Sequence, residues 1–307
     1  MTFVRKVAVS LLPVLLVVTA CGGDDPVDQA IEEPAAPEGQ AAEAQVLPVG
    51  QTVWHSGFQV EVLQASLSPV EENAFGQPSR QLTVDARFTN EGPDPRTFPA
   101  EVALVAGGSS YPALGGSLTT VPSGLTGDGV FAFPVDVDID MNAAYLLMGR
   151  GGESQARVPI GPGGGQLVAL EPQEFPVSGD LSLELIDLHI TSADLRADVP
   201  ANYSQVEQGK WALWLYFDVT SRRSGNWTIR VEDFALVLPS GSAVAPVGSD
   251  LTTLAGSDDG LTTDGLYVRF LVDDPSAGGY TLRFTAPTWF RVSGGDAETE
   301  GTFTFNL

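Results

Sequence analysis

Leu82-Thr-Val-Asp-Ala-Arg-Phe88 and Leu213-Trp-Leu-Tyr-Phe-Asp-Val219 each place an apolar residue at every second position. This period of two is typical of a β-strand that turns one face into a hydrophobic core. The matched apolar positions are Leu82, Val84, Ala86 and Phe88 in the first stretch and Leu213, Leu215, Phe217 and Val219 in the second. The two stretches therefore predict one half-buried strand that occurs twice in the chain.

The sequence around these stretches repeats as well. Phe58–Leu67 matches Leu181–Ile190, and Val130–Asp136 matches Tyr267–Asp273, in the same order along the chain. The repeat is about 125–135 residues long, whereas solenoid repeats have periods of roughly 20–50 residues. The pattern therefore indicates a duplicated domain.

Each repeat consists of short segments rich in Val, Phe, Tyr and Thr that are separated by Gly, Pro and Asp. No stretch of the sequence sustains an amphipathic helical period. This composition favours an all-β fold with two tandem immunoglobulin-like antiparallel β-sandwiches after a disordered acidic tether. The predicted boundaries are 47–161 for the first sandwich, 162–176 for the interdomain linker and 177–307 for the second sandwich.

Residues 1–20 are typical of a lipoprotein signal peptide. Arg5 and Lys6 precede an apolar run, Val7–Ala20, that is shorter than the ~20 residues of a transmembrane helix. Val18-Thr-Ala-Cys21 then resembles the lipobox of bacterial lipoproteins, in which the Cys is diacylglycerylated and the signal peptide is cut just before it. The resemblance implies a lipid anchor on Cys21 and a location on the extracytoplasmic face of the cell membrane. The alternative is a buried structural Cys behind an ordinary signal peptide.

The chain is strongly acidic, with 39 Asp+Glu against 15 Lys+Arg and a formal net charge of −24. Such a charge repels nucleic acid, so no nucleic-acid partner is expected. Residues 21–46 contain seven acids and no base, and we predict that they form a disordered acidic linker behind the lipidated Cys. Because the chain has a single Cys, an intrachain disulfide and a Cys-based zinc site are excluded.

Two motifs carry a resemblance to a known family. One strand ends in Phe88-Thr-Asn90 before a polar turn, and Val130–Asp136 contains an internal Pro. Both features resemble bacterial secreted immunoglobulin-like domains, which are common on lipoproteins of actinobacteria and other Gram-positive organisms. The second repeat departs from this pattern, with Ser221 in place of Asn90 and no Pro in the strand that matches Val130–Asp136. The resemblance implies a fold and no particular biochemical activity.

The sequence does not predict catalysis. His55 and His189 are its only imidazole bases, and neither lies in a Ser/His/Asp motif such as G-x-S-x-G. We expect both histidines on the protein surface, and no catalytic residue is assigned.

An acidic run is the one candidate for metal binding. Its D-x-D-x-D-x-N pattern can supply oxygen ligands to Ca²⁺, but the Gly and the Glu that complete an EF-hand loop are missing. In an extended strand the acids would simply face water, while Val137 and its apolar neighbours would face inward. We therefore predict no metal site and no cofactor. The run consists of Asp136, Asp138, Asp140 and Asn142.

Trp214 and Tyr216 lie on the face of the repeated strand that is polar in the first copy. Aromatic residues on such a face are enriched at interfaces, so we predict that the pair contacts the first domain, a glycan or a protein partner. The alternative is that a long loop, residues 192–209, folds over them.

Together these features predict a membrane-anchored lipoprotein that acts as a non-catalytic binding or interaction module at the cell envelope. Its partners would be membrane lipid, through acylated Cys21, and an envelope protein or glycan. One alternative is a structural or spacer lipoprotein without a specific ligand. Another is a hydrolase or a Ca-dependent glycan-binding module.

Overall fold

The two copies of the repeated strand lie at the centres of two separate antiparallel sheets. The computed structural model describes residues 44–222, 224–251, 253–273, 275, 277–286 and 300–307. Within these residues the regular structure consists of strands and three short 3-10 turns, which confirms the all-β prediction. The predicted signal peptide, the lipidated Cys21 and most of the predicted acidic linker lie outside the described residues.

The first repeat forms two sheets that share one core. One sheet has the strand order β1-β2-β4-β8-β7, with β3 paired to β4, and the other has the order β10-β9-β5-β6. Side chains from both sheets, such as Val60 and Leu146, are fully buried in a single cluster. The strands are β1 (Gln45–His55), β2 (Phe58–Leu67), β3 (Glu71–Glu72), β4 (Pro78–Asn90), β5 (Val102–Ala106), β6 (Ser109–Pro112), β7 (Gly115–Leu118), β8 (Thr126–Val135), β9 (Tyr145–Met148) and β10 (Ala156–Pro159), with the 3-10 turn η1 (Met141–Ala143).

The second repeat has the same plan. Its sheets have the orders β11-β13-β16-β22-β20, with β12 paired to β13, and β19-β18-β23-β24, and Leu215 and Leu282 meet in its core. The strands are β11 (Gln173–Phe175), β12 (Gly179–Leu183), β13 (Ile186–Arg196), β14 (Asp198–Val199), β15 (Ser204–Gln205), β16 (Lys210–Ser221), β17 (Gly225–Thr228), β18 (Phe234–Val237), β19 (Ala243–Val244), β20 (Pro246–Ser249), β21 (Thr253–Gly256), β22 (Leu261–Asp273), β23 (Gly279–Thr285) and β24 (Glu300–Asn306), with η2 (Pro200–Asn202) and η3 (Val231–Asp233). Two sheets around one core are consistent with a β-sandwich, and the immunoglobulin-like topology stays a prediction.

The structure corrects the register of the repeat. Phe58 pairs with Asn90, and Ile186 pairs with Ser221, so β2 corresponds to the strand that begins at Ile186. The predicted single strand Leu181–Ile190 is wrong, because a turn after Leu183 divides it between β12 and β13. The sequence does mark this turn, because Leu185 and Ile186 are adjacent apolar residues that interrupt the alternation. Both β2 and β13 have their β-bulge at the same place, after Val62 and after Ile190 respectively.

The acidic run after β8 is not an extended strand, contrary to the sequence prediction. β8 ends at Val135, and the Asp140 carboxylate accepts a hydrogen bond of 2.9 Å from the backbone N–H of Asn142. This local bond caps η1 and competes with strand pairing. Val137, predicted to face inward, is 37% exposed. No group of three His, Cys, Asp or Glu side chains among the described residues is placed to hold a metal ion.

The N-terminal edge of the fold lies slightly earlier than predicted, since β1 begins at Gln45, inside the segment assigned to the linker. The described residues form a single compact unit, and the two sandwiches within it are in direct contact. In the part of the chain that the structure describes, no helix has the length and apolar character needed to cross a membrane.

Candidate binding cleft at the sandwich junction

A loop of the second sandwich reaches into the first. This loop, residues 197–209, connects β13 to β16, and we call it the tongue. It folds as a short hairpin of β14 and β15 with the turn η2 between them. Tyr203 lies near the tip in the left-handed backbone conformation, with φ of 54°. Its side chain is 7% exposed and belongs to the core of the first sandwich.

Tyr203 fits a socket built by the first sandwich. Its ring lies 5.9 Å from the ring of Phe58, and the guanidinium of Arg96 lies 5.0 Å from its centroid. The hydroxyl accepts a 2.9 Å hydrogen bond from the backbone N–H of Asp94 and donates to the carbonyl of the same residue. Gly92 lies so close that a Cβ there would be 2.3 Å from Cζ of Tyr203. The socket therefore accepts the tyrosine only because residue 92 is glycine.

Buried Asn90 shapes this socket. Its side-chain amide donates to the carbonyls of Asp94 and Val121, at 2.8 and 2.9 Å. Its side-chain oxygen accepts from the backbone N–H of Gly92 at 2.9 Å. The Asn at the end of the first strand copy, noted in the sequence for its resemblance, therefore holds the turn that receives Tyr203. The equivalent Ser221 of the second copy is also fully buried.

A polar network at the base of the tongue joins the two sandwiches. Asp198 is 2% exposed and accepts 2.7 Å and 2.9 Å hydrogen bonds from the backbone N–H of Gly57 and from Nε of Arg196. Arg196 also binds the carboxylate of Glu91, which accepts a 3.1 Å hydrogen bond from the indole N–H of Trp54. Burial alone would lower the pKa of Arg196, but the charges and hydrogen bonds of Asp198 and Glu91 outweigh it and raise the pKa. The guanidinium is therefore a permanent cation in this network.

Further backbone contacts, from the tongue and from the predicted linker, strengthen the junction. The backbone N–H of Ser154 donates to the carbonyl of Val206 at 2.9 Å. The backbone N–H of Gln208 donates to the carbonyl of Gly152, also at 2.9 Å. In the predicted interdomain linker, the carbonyl of Ala169 accepts from the backbone N–H of Trp54 at 2.8 Å. The linker therefore lies against the first sandwich, and the junction has backbone contacts from two separate segments.

His55 is buried at this junction, so its predicted surface position is wrong. It is 1% exposed, its ring packs edge-on against Phe98, and a Cβ on Gly149 would lie 2.6 Å from its Cε1. Its Nδ1 has no hydrogen-bond partner among the described residues. Burial lowers the pKa of His55 to about 4, although the charge of Asp198 acts in the opposite direction. His189, by contrast, lies on the polar face as predicted, with Nδ1 2.7 Å from Asp180.

A cleft of about 590 Å³ opens where the two sandwiches meet. Both sandwiches and the linker contribute to its wall. Polar side chains dominate the lining, and Trp54 is its largest apolar surface. The lining residues are Trp54, Gln59, Glu91, Glu171, Pro172, Glu174 and Arg196. The residues of this cleft come from four separate segments of the chain, and no local motif marks them.

A second hollow of about 490 Å³ adjoins the cleft and shares Glu174 with it. Asp194 and Tyr216 line this hollow. Burial, followed by the charge of Glu174, raises the pKa of Asp194, and burial, followed by the charge of Asp194, raises the pKa of Tyr216. The hollow thus extends a negatively charged surface away from the cleft.

The structure separates the two aromatic residues that the sequence singled out. Trp214 is 4% exposed and packs under the tongue with Val199 and Val206, as in the alternative where a loop folds over it. Its ring also contacts Tyr267, at a centroid distance of 4.6 Å. Tyr216 remains half-buried and faces the second hollow. A binding role for Trp214 and Tyr216 stays a prediction, and Trp54 is the tryptophan that lines the cleft.

Comparisons with known proteins add little. No protein-family model and no curated protein matches this sequence. Among solved structures, a functionally unknown protein from Listeria monocytogenes EGD-e is similar at 12% identity and a TM-score of 0.30, over 38% of this chain and 85% of that one. A conserved hypothetical protein from Bacillus anthracis shows 14% identity and a TM-score of 0.28, over 38% and 97%. A conserved domain protein from the same organism shows 11% identity and a TM-score of 0.23, over 88% and 92%. Similarity this low carries no argument about fold or function.

Proposed function

We propose that this chain is a cell-envelope lipoprotein of the bacterial, actinobacterial type that acts as a non-catalytic binding module on the outer face of the membrane. The cleft at the sandwich junction is the binding site. The observation that supports this proposal is the cleft itself, which lies between two domains and combines an aromatic ring with several polar groups. Ligand sites in proteins occur preferentially in such places.

The fixed geometry of the cleft favours a binding role over a spacer. The Trp54 indole is fixed through Glu91 and Arg196 to buried Asp198, so the wall is already ordered without a ligand. A preformed wall lowers the entropic cost of binding. A spacer needs no such arrangement at the point where its two domains meet.

Photo-cross-linking in intact cells tests the binding site. A benzophenone amino acid at Gln59, inside the cleft, should give a covalent adduct that mass spectrometry detects. Gln64 is the matched control position, because it lies on the same strand but outside the cleft and binds Asp85 at 2.7 Å. An adduct specific to Gln59 would support a binding module. Equal adducts at both positions, or none, would favour the spacer.

If Cys21 carries the lipid anchor, Cys21→Ser should abolish acylation of the chain. Without the thiol the chain cannot be acylated, so the variant should incorporate no labelled palmitate, whereas the parent chain should. The thermal midpoint of the purified variant should match that of the parent chain, which controls for misfolding. If the Cys21→Ser protein still incorporated labelled palmitate, Cys21 would not be the anchor.

A further inference from the structure

We infer that the junction cleft binds a saccharide without negative charge, with a sugar ring stacked on Trp54. This inference rests on the proposed function, because it names the class of ligand for the same cleft. A pyranose has an apolar face of C–H groups and a rim of hydroxyls, and the cleft offers a partner for each of these two surfaces.

The aromatic platform is Trp54. Its indole N–H donates to Glu91 at 3.1 Å, and its backbone N–H donates to the carbonyl of Ala169 at 2.8 Å. One bond therefore holds the indole and the other holds the backbone of Trp54, while the residue stays half-buried at the cleft. An aromatic ring fixed in this way can pack against the C–H face of a sugar without first losing rotamer freedom.

The polar rim is free to bind hydroxyls. The side chains of Gln59, Glu171 and Glu174 line the cleft and form no hydrogen bond or ion pair with another residue in the described part of the chain. Carboxylates accept hydrogen bonds from hydroxyl groups, and an amide can both donate and accept. Arg196 adds a guanidinium whose bonds to Glu91 and Asp198 fix its position. This set of groups matches the alternating donors and acceptors of a sugar.

The charge of the cleft restricts the saccharide. Glu91 and Asp198 already neutralise Arg196, so the carboxylates of Glu171 and Glu174 are left without a cation. An anionic sugar would meet net repulsion there. A neutral or amino sugar would not. A purely apolar ligand would leave these carboxylates desolvated and unpaired.

The adjoining hollow extends the site beyond one ring. It shares Glu174 with the cleft, and Phe175, Asp194 and Tyr216 line it. Another aromatic surface beside a carboxylate repeats the chemistry of the cleft. The ligand is therefore an oligosaccharide that spans both spaces.

Isothermal titration calorimetry on the full chain in detergent tests this inference with four probes: cellotriose, chitotriose, trigalacturonic acid and trilysine. Cellotriose or chitotriose should bind more tightly than the other two. Trp54→Ala should weaken that binding by roughly tenfold or more, since it removes the stacking surface. Gln59→Ala should weaken it by a smaller factor, and Gln64→Ala, on the same strand outside the cleft, should leave it unchanged.

The outcomes distinguish the ligand class from the proposed function. Preferential binding of trilysine or trigalacturonic acid that depends on Trp54 would overturn the saccharide and leave the binding module standing. Sugar binding that is unaffected by Trp54→Ala would overturn the assigned site. If no probe binds, the saccharide is overturned, and the adduct at Gln59 then decides separately whether the cleft binds any ligand.

Discussion

Tyr203→Ala should lower the free energy of unfolding by about 3–5 kcal/mol, the usual cost of truncating a large buried aromatic residue. The side chain belongs to the core of the first sandwich although it comes from the second. Its loss opens a cavity between Phe58 and Gly92 and removes both hydrogen bonds to the backbone of Asp94. Urea unfolding with linear extrapolation measures the change.

Gly92→Ala provides an independent check of the same contact. A Cβ at residue 92 would lie 2.3 Å from Cζ of Tyr203, so the substitution should destabilise the parent chain by forcing the tongue out of its socket. In the Tyr203→Ala background the clash is gone, and the two effects should be strongly non-additive. Tyr111→Ala is the control and should cost less, since that ring is only partly buried against the core of the first sandwich and its hydroxyl donates to exposed Asp136. A loss below about 1 kcal/mol for Tyr203→Ala would contradict the tongue as an anchor.

The stability of the folded chain should fall by about 3 kcal/mol, through His55 alone, as the pH decreases from 6.5 to 4. Burial lowers the pKa of His55 to about 4 from an ordinary value of 6.5. The unfolded chain therefore takes up the proton first, and this favours unfolding as the pH falls. The contribution of neutral His55 to the free energy of unfolding is fully present above pH 6.5 and is lost progressively between pH 6.5 and 4.

Carboxylates titrate in the same pH range, so the contribution of His55 to the pH dependence of stability is isolated by comparing variants. His55→Leu should remove this part of the pH dependence, because its side chain cannot take up a proton. His189→Gln changes the other histidine, which lies on the surface beside Asp180, and should keep the slope of the parent chain. Urea unfolding at a series of pH values measures all three chains. An identical slope for His55→Leu and the parent would show that His55 is not buried in its neutral form.

The strands and the core were predictable from the sequence because they follow from a local rule. A period of two in apolar residues marks a half-buried strand wherever it occurs, so β4 and β16 could be located from their own residues. The same rule locates the turn between Leu183 and Ile186, because the adjacent apolar residues Leu185 and Ile186 interrupt the alternation, but the match of the whole stretch to Phe58–Leu67 obscured this break. The rule failed after Val135, where the backbone N–H of Ile139 donates to the carbonyl of Asp136 and a local turn ends the extended run.

The junction could not be predicted because its contacts join residues that are distant in sequence. Tyr203 and Asp94 are 109 positions apart, and Asp198 and Gly57 are 141 positions apart. A tyrosine in a polar loop gives no sign that another domain holds a socket for it. The burial of His55 could not be predicted for the same reason, because the residues that bury it include Phe98 and Gly149, which are distant in sequence. Tyr203 and Asp198 reach their partners only when the two sandwiches pair, and His55 reaches its own only when the first sandwich folds.

The central claim is that the tongue fixes the two sandwiches in one arrangement and thereby forms the cleft before any ligand binds. The most direct measurement is the distance distribution, by double electron–electron resonance, between spin labels on genetically encoded residues at Ser109 and Ser240, which are exposed sites on the first and second sandwich. The ligand-free parent chain should give a single narrow distance peak. A broad distribution in the parent chain, as broad as that of Tyr203→Ala, would contradict a preformed junction.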